Sequence, residues 1–333
     1  MRAFLLDGYG AIDDHVKLTD VADPIPGRHD VLIDIHAASL NPIDFKIVRG
    51  DLKRVSKYQL PRTFGFDASG VVLAAGAGVT RFRPGDAVYV RASRETIGTF
   101  AEKIALPEAF VALKPANVSH AGAASLPLVG LTTLQGFGKV GARAGQRILI
   151  HAGAGGIGTF AIQYAKHIGL DVTSTTSSKN ADFVRSLGAD RVIAYDRENY
   201  LEQGGGYDIV YDTLGGAFTI DAFKVVKRGG AVISLSGPPD RDFARREGAG
   251  LLVRVAVWLM SRKVYAASEA AGGSYCWFFT EPSGDQLREI AGLVESGAIK
   301  PVIDREFAFD QLPAALAYLE KGHARGKVVL KMK

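Results

Sequence analysis

Thiols are almost missing from this chain of 333 residues, in which Cys276 is the single cysteine. One thiol excludes an internal disulfide framework and any zinc site built on several thiolates, and it permits a reducing compartment. Long apolar runs are missing too. The most apolar stretch, GLLVRVAVWLM from Gly250 to Met260, is interrupted by Arg254 and falls far short of the roughly 20 residues a spanning helix needs. It reads as an amphipathic or buried helix. The start, MRAFLLDGYG, has a short apolar run and no clear cleavage region, so it does not read as a secretory signal. A cytoplasmic protein without a transmembrane segment is expected. No dense basic run occurs either: the net charge of +5 comes from Lys and Arg scattered among acids. That pattern reads as a solvated surface that would also suit an anionic ligand such as a phosphate, and no specific nucleic-acid partner is expected. None of the seven histidines (His15, His29, His36, His120, His151, His167, His323) lies within five residues of another, so local metal-ligand spacing is absent.

What the chain does have is length, apolar residues and glycine. With 333 residues and 47% hydrophobic content it exceeds what one core usually supports, so two domains are expected. Its 39 glycines, well above the usual ~7%, follow no period and imply many tight turns. Up to about residue 115, short β-like runs such as DVLIDIHAASL, ASGVVLAAG and GDAVYVRA are cut by turn signals, which suggests a compact, mostly antiparallel barrel. A helix over AGAASLPLVGLTTLQGFGKV then leads into alternating strands and helices: RILIHA, GTFAIQYAKHIG, DVTSTT, NADFVRSLG, RVIAYD, YDIVYDTLG, AFTIDAFKVVKRGG and AVISLSG. That alternation implies a parallel sheet covered by helices. The tail changes texture again, with PVIDREFAF, the helix QLPAALAYLEKG and a last strand in GKVVLKM. The fold class is therefore α/β, a barrel domain combined with a doubly wound parallel sheet.

Four of the eight residues in HAGAGGIG, His151 to Gly158, are glycine, and Gly153, Gly155 and Gly158 satisfy G-x-G-x-x-G. The string alone is weak, because a Gly-rich turn joins many strands to many helices. Here an apolar strand leads in and a helix leads out, so loop N–H groups and the positive helix end converge on one place, where a pyrophosphate fits. An NAD-binding unit usually places an acid about 20 residues on, at the end of the next strand, for the ribose 2′-OH. That end reads TSTTSSKN, with no acid from Ser174 through Lys179. The hydroxyls of Thr175, Ser177 and Ser178 with the charge of Lys179 suit a 2′-phosphate, so NADP(H) is the expected cofactor. The alternative is that these residues simply cap the following helix.

The motifs SLNPIDFKIVRG, FGFDASGVV, RPGDAVY, GTFAEKIAL, LPLVGLTTLQGF, HAGAGGIGTFAIQYAK, LGADRVIAYD, YDIVYDTLGG and GHARGKVVL resemble, in shared order and over nearly the full length, the medium-chain dehydrogenase/reductase superfamily in its zinc-independent, zeta-crystallin-like NADPH:quinone oxidoreductase branch. The resemblance implies a GroES-like catalytic domain at residues 1–120, a Rossmann NADP(H)-binding domain at 121–265, and a return to the catalytic domain at 266–333. It also implies a homodimer. Zinc-dependent relatives have a cysteine where this chain has Asn41, and a histidine followed by an acid where it has Phe66 and Asp67, so no metal is expected. By resemblance, Asn41 lies near the nicotinamide and its ribose, and Thr132 touches the same end of the cofactor. Ala154, Gly155, Gly156 and Ile157 would wrap the pyrophosphate, Lys179 and Tyr195 would meet the 2′-phosphate, and Thr213 and Leu214 would border the adenosine side. Leu235, Ser236, Phe278 and Lys327 complete the ligand's surroundings. From the residues alone, Asn41 before Pro42 and Asp44 is also a natural turn, Tyr195 a strand aromatic, and Lys327 a strand-edge charge.

Without a metal and without a Ser/His/Asp nucleophile set, the chemistry must come largely from the nicotinamide. Hydride transfer from NADPH to a small apolar quinone or α,β-unsaturated carbonyl is the simplest step that fits. Asn41 and Lys46 are the candidates to steady developing oxygen charge. The rivals are an enoyl-thioester reductase and a cofactor-binding RNA or membrane-peripheral interaction protein using the basic surface and the stretch from Gly250 to Lys263.

Overall fold

The computed structural model describes residues 1–53, 58–246 and 248–332. They form two compact units, Met1–Leu131 with Glu281–Lys333, and Thr132–Thr280. The sequence reading set its limits after residues 120 and 265.

The first unit contains strands β1 (Arg2–Leu6), β2 (Val16–Asp20), β3 (Asp30–Leu40), β4 (Arg62–Thr63), β5 (Asp67–Ala75), β6 (Ala87–Arg91), β7 (Lys103–Pro107) and β8 (Val111–Leu113). Helices α1 (Ile12–His15), α2 (Pro42–Arg49) and α3 (His120–Ala124) lie among them and at their end, and the C-terminal part adds α10 (Gly284–Glu295), β15 (Ile303–Ala308), α11 (Leu312–Glu320) and β16 (Lys327–Lys331). Strand β3 is its axis. Apolar residues alternate along its first half, burying Val31, Ile33 and Ile35, while its second half is buried at every residue, Ala37 to Leu40. It pairs antiparallel with β5, β7 and β16, the last bringing Val328 opposite Leu40. The C-terminal residues thereby place Lys327 next to the end of β3. The segment expected as one helix from Ala121 divides into α3 and α4 (Pro127–Lys139), because Pro127 has no N–H with which to continue the ladder.

The second unit is a six-stranded, all-parallel sheet of β9 (Arg147–Ile150), β10 (Asp171–Thr176), β11 (Arg191–Ala194), β12 (Tyr207–Asp212), β13 (Val226–Ser234) and β14 (Ser274–Cys276), in the order β11-β10-β9-β12-β13-β14. Its helices are α5 (Gly156–His167), α6 (Ala181–Ser186), α7 (Ala217–Val225), α8 (Phe243–Arg246) and α9 (Leu251–Ala271). Strand order reverses between β9 and β12, and in doubly wound sheets ligands bind beyond the carboxyl ends at such a switch point. This is the expected α/β class. Two details differ from expectation. Residues 266–280 go with the parallel sheet because β14 pairs with β13. The helix read through Gly230 ends at Val225, where β-branched Val225 and Val226 turn the chain into β13.

Candidate functional site

The glycine loop follows β9. Ala152 takes a left-handed φ of +54°, and the Gly153 N–H donates to Thr175 O at 2.9 Å, tying the loop to β10. A Cβ on Gly153 would lie 2.2 Å from Ser174 Oγ, and one on Gly158 would lie 2.3 Å from Ala152 O. Gly153 is required by the packing of the loop against β10 and α5, and Gly158 by the close approach of the loop backbone to the start of α5. Gly155 differs, since its added Cβ would meet nothing closer than Ala152 O at 3.3 Å and its φ is −77°. Its missing side chain clears space outside the loop rather than inside it, as a closely approaching ligand requires. Gly155 caps the twelve-residue helix α5 and Gly156 is that helix's first residue, while Ala154 is buried and Ile157 half-buried beside them.

At the next strand end the predicted hydroxyls separate. Thr175 is buried, with its hydroxyl 3.1 Å from His151 Nδ1 and accepting the Ala152 N–H at 3.2 Å; it braces the loop from within and is not turned toward the corner expected to hold a phosphate. Ser177 is 8% exposed and its Oγ is buried without a hydrogen-bond partner. Lys179 is exposed, and Tyr195, 65% exposed, donates its N–H to Thr176 O at 2.9 Å, which sets the ends of β10 and β11 side by side. Ser177 and Lys179 thus follow β10, and Tyr195 follows the neighbouring strand β11. The structure also reveals Asp196, which the sequence reading missed by seeking an acid only at the end of β10. The Asp196 carboxylate accepts the Ser178 N–H at 2.7 Å and the Ser178 hydroxyl at 2.6 Å, bonds that hold its carboxyl below the usual range. The acid following Tyr195 in RVIAYD was the available signal.

Nearer the switch point, Asp212 organises the loops after β12 and β13. Fully buried, it accepts from the N–H groups of Leu214 and Gly215, both at 2.9 Å, and from the hydroxyls of Thr219 and Ser234 at 2.5 and 2.7 Å. The expected residues Thr213, Leu214, Leu235 and Ser236 sit on these loops. Thr213 donates its hydroxyl to His151 O at 3.2 Å, Ser236 donates to Thr213 O at 3.2 Å, and the Leu235 N–H donates to Asp212 O at 2.9 Å. His151 itself is fully enclosed, ring to ring with Tyr200 at 4.8 Å, and burial pushes its pKa down to about 4. It is a packed, neutral imidazole at pH 7. Thr132 shares a 2.7 Å hydroxyl contact with Thr280. Phe278 belongs to the core, its ring 3.3 Å from where a Gly136 Cβ would be. Cys276, half-buried, has its thiol pushed up by burial, the setting of an inert thiol.

The first unit holds a buried polar cluster at the end of β3. Asn41 caps α2 with Pro42 in the first turn, and its N–H donates to Asp44 Oδ2 at 2.7 Å, so the turn signal read in the sequence marks the start of a helix. The Asn41 side chain is held at both ends: Nδ2 donates to Asp67 Oδ2 at 2.9 Å, and Oδ1 accepts from Lys327 Nζ. Lys327 also donates to Leu40 O at 2.9 Å and stands 3.6 Å from Asp67 Oδ2. Ser39 and the Leu128 N–H complete the shell of Asp67 at 3.3 and 3.1 Å. Asn41, Asp44, Asp67, Arg91 and Lys327 are all at most 5% exposed. Burial dominates their electrostatics, raising the Asp67 carboxyl and lowering the Lys327 ammonium even as each favours the charge of the other. Asp44 is pushed up to about 8 by burial and by Asp67, against the pull of the Asn41 N–H, and its Oδ1 has no partner. The structure joins Asn41 and Lys327 directly, a contact that the resemblance, which named each as a neighbour of the cofactor, did not include. Lys46, half-buried on α2, takes no place in the described bonds of this cluster. Asp44 and Asp67 entered the sequence reading only as a turn residue and as a position where zinc-dependent relatives carry an acid. Arg91, at the end of β6 with its guanidinium 5.5 Å over the Phe66 ring, gave no signal beyond a charge ending an apolar strand.

Among the described residues no three His, Cys, Asp or Glu side chains stand together as a metal-holding group. Residues 27–116 match the alcohol dehydrogenase GroES-like domain family, and residues 187–330 match the zinc-binding dehydrogenase family. The chain belongs to the medium-chain dehydrogenase/reductase superfamily. Within it, the chain is similar to 2-methylene-furan-3-one reductase of Solanum lycopersicum, 36% identical over 340 residues that span 99% of this chain and 79% of that protein. It is 34% identical, with the same coverage, to the chloroplastic NADPH-dependent alkenal/one oxidoreductase of Arabidopsis thaliana. The solved quinone oxidoreductase of Coxiella burnetii superposes with a TM-score of 0.86 at 31% identity, covering 100% of this chain and 99% of that one.

Proposed function

We propose that this chain is a zinc-independent reductase that takes hydride from NADPH and delivers it to a quinone or an α,β-unsaturated carbonyl. The observation that carries the reading is the pairing of an outward-cleared Gly155 at the start of α5 with a strand end whose buried Ser177 hydroxyl lacks a partner. The first is what a pyrophosphate needs, and the second, with Lys179 and Tyr195, is what a 2′-phosphate needs. NADPH, when bound, supplies the hydride. The relatives named above act, by their names, on conjugated or quinone acceptors, which need little electrophilic help.

Each unit contributes in its own way. The α5 N-terminus and loop N–H groups attract negative charge, Gly153 keeps that loop against β10, Gly158 lets its backbone approach the start of α5, and Asp212 fixes the loops bearing Thr213, Leu214, Leu235 and Ser236. In the first unit Asn41 is clamped between Asp67 and Lys327, so its second amide hydrogen is held in a fixed direction as a donor for an acceptor oxygen. Lys46 is the candidate to steady oxygen charge as it develops. With Asn41 and Phe66 at positions that zinc-dependent relatives use as ligands, a metal has no part in the reading.

The test is NADPH oxidation against quinones, enones, enals and acyl thioesters, with metal content determined on the same protein. Turnover of quinones or enones, preference for NADPH over NADH by about tenfold or more in kcat/KM, and no stoichiometric zinc are expected. Selectivity for thioesters would make the chain an enoyl-thioester reductase, and equal use of both cofactors would remove Ser177 and Lys179 as phosphate ligands.

A further inference from the structure

Helix α9 exposes a more apolar stripe than it buries. Its inner stripe, Val257, Ser261, Val264 and Ser268, follows helical spacing, packs inward and is half serine. Val264 joins the core around Phe223, Val226 and Val232, and near it the Arg241 guanidinium lies 4.0 Å over the Tyr265 ring, so the second half of the helix is anchored. The first half is not covered in this way. Leu252, Val255 and Leu259 form the opposite stripe, flanked by Leu251, Trp258 and Met260, with exposures reaching 72% at Leu251 and 86% at Leu252. A surface helix normally shows the reverse. Single exposed apolar residues are ordinary, but a contiguous set marks an interaction surface. The expectation of a helix here is met, while its apolar side faces outward.

We infer that the first half of helix α9 docks on an anionic lipid surface, lying in the headgroup region with Leu252, Val255 and Leu259 in the acyl boundary. Charge selects this occupant. Arg254, Arg262 and Lys263 are exposed on the helix, and no acid occurs in it before Glu269. In the dry interface of a second copy, Arg262 and Lys263, which follow Leu259 at i+3 and i+4 on the same face, would meet no carboxylate from the same stretch of the partner helix to offset their burial. At a bilayer their stems run along the apolar layer while the charged ends reach lipid phosphates. Trp258 is the side chain suited to that boundary. No helix of the described residues is long and apolar enough to cross a membrane, so the helix lies on the surface rather than spanning it.

The experiment is flotation of the full chain with vesicles of phosphatidylcholine alone and with added phosphatidylglycerol, read without cofactor and therefore independent of the hydride-transfer reading. Binding only to the anionic vesicles, weakened by salt, is expected. The variant Leu252→Glu/Leu259→Glu should reduce it by about tenfold or more, as should Arg254→Gln/Arg262→Gln/Lys263→Gln, both keeping the parent's urea midpoint because these side chains are exposed. The inference is overturned by failure to bind anionic vesicles, by equal binding to phosphatidylcholine alone, or by unchanged binding of either variant. It is overturned equally if Leu252→Glu/Leu259→Glu converts a solution dimer to monomer while the parent binds no lipid.

Discussion

At the end of β9 the second unit offers mainly backbone: glycines, N–H groups and a helix start, braced from within by neutral hydroxyls such as Thr175. At the end of β3 the first unit does the opposite, burying Asp67, Arg91 and Lys327 around a single amide, Asn41. The first arrangement tolerates an incoming charge because it holds little of its own. The second fixes one side chain rigidly, and its stability depends on every charge keeping its partner, since a buried ion left alone costs far more than the pair contributes. Substitutions should therefore separate the two regions: those in the loop should change ligand affinity with the fold intact, and those in the cluster should change the fold itself.

The largest expected effect lies in the cluster. Lys327→Met leaves Asp67 buried with Asn41, Ser39 and the Leu128 N–H but without its nearest cation, and should lower unfolding stability by about 3–5 kcal/mol. Adding Asp67→Asn should restore much of that loss, because the uncompensated charge is then gone. Urea unfolding of the two single variants and the double variant measures the coupling. Additive losses would mean that Lys327 and Asp67 do not depend on one another.

Next comes the loop. Gly155→Asp adds a side chain whose Cβ would meet only Ala152 O, at 3.3 Å against 2.3 Å at Gly158, and brings a negative charge to the start of α5. NADPH affinity should fall by about tenfold or more, roughly 1.4 kcal/mol, while the thermal midpoint stays close to that of the parent. Gly158→Ala should reverse the pattern, because its Cβ would lie 2.3 Å from Ala152 O. If calorimetry shows Gly155→Asp binding NADPH like the parent, the loop does not face the pyrophosphate.

The two regions also differ in how far they could be read in advance. The loop was legible because its determinants are local: a strand, glycines at fixed spacing and a helix within about twenty residues. Its finer claim held less evenly, since Thr175 turns inward to His151 and Asp196 arrives from β11, a strand register that spacing along β10 does not encode. The cluster was not legible as a cluster, since the resemblance named Asn41 and Lys327 only separately, as neighbours of the cofactor. Asn41 and Lys327 are 286 positions apart, and only the antiparallel pairing of β16 with β3 brings them together. Arg91 and the burial of Asp44 carried no local pattern at all. For α9 the apolar composition was read correctly but not its direction, because a strongly apolar stretch carries the same signal whether it meets a core or faces outward.

The smallest change expected at neutral pH, and the sharpest probe of the cluster, is Asp44→Asn. With its folded pKa raised from 3.8 to about 8, Asp44 keeps its proton in the folded chain at pH 7 and loses it in the unfolded one. Between those values the folded state binds more protons, so this group makes stability fall as pH rises from about 4 to about 8, with no further loss from it above that range. Asparagine has the same shape and no proton to lose, so at pH 5 the variant should lie within about 1 kcal/mol of the parent. As pH rises to 8 the parent should lose stability relative to the variant. Urea midpoints at pH 5, 6.5 and 8 test this directly. Parallel curves would mean that Asp44 is ionised in the folded chain, and that Lys327 and Arg91 balance two buried carboxylates rather than one.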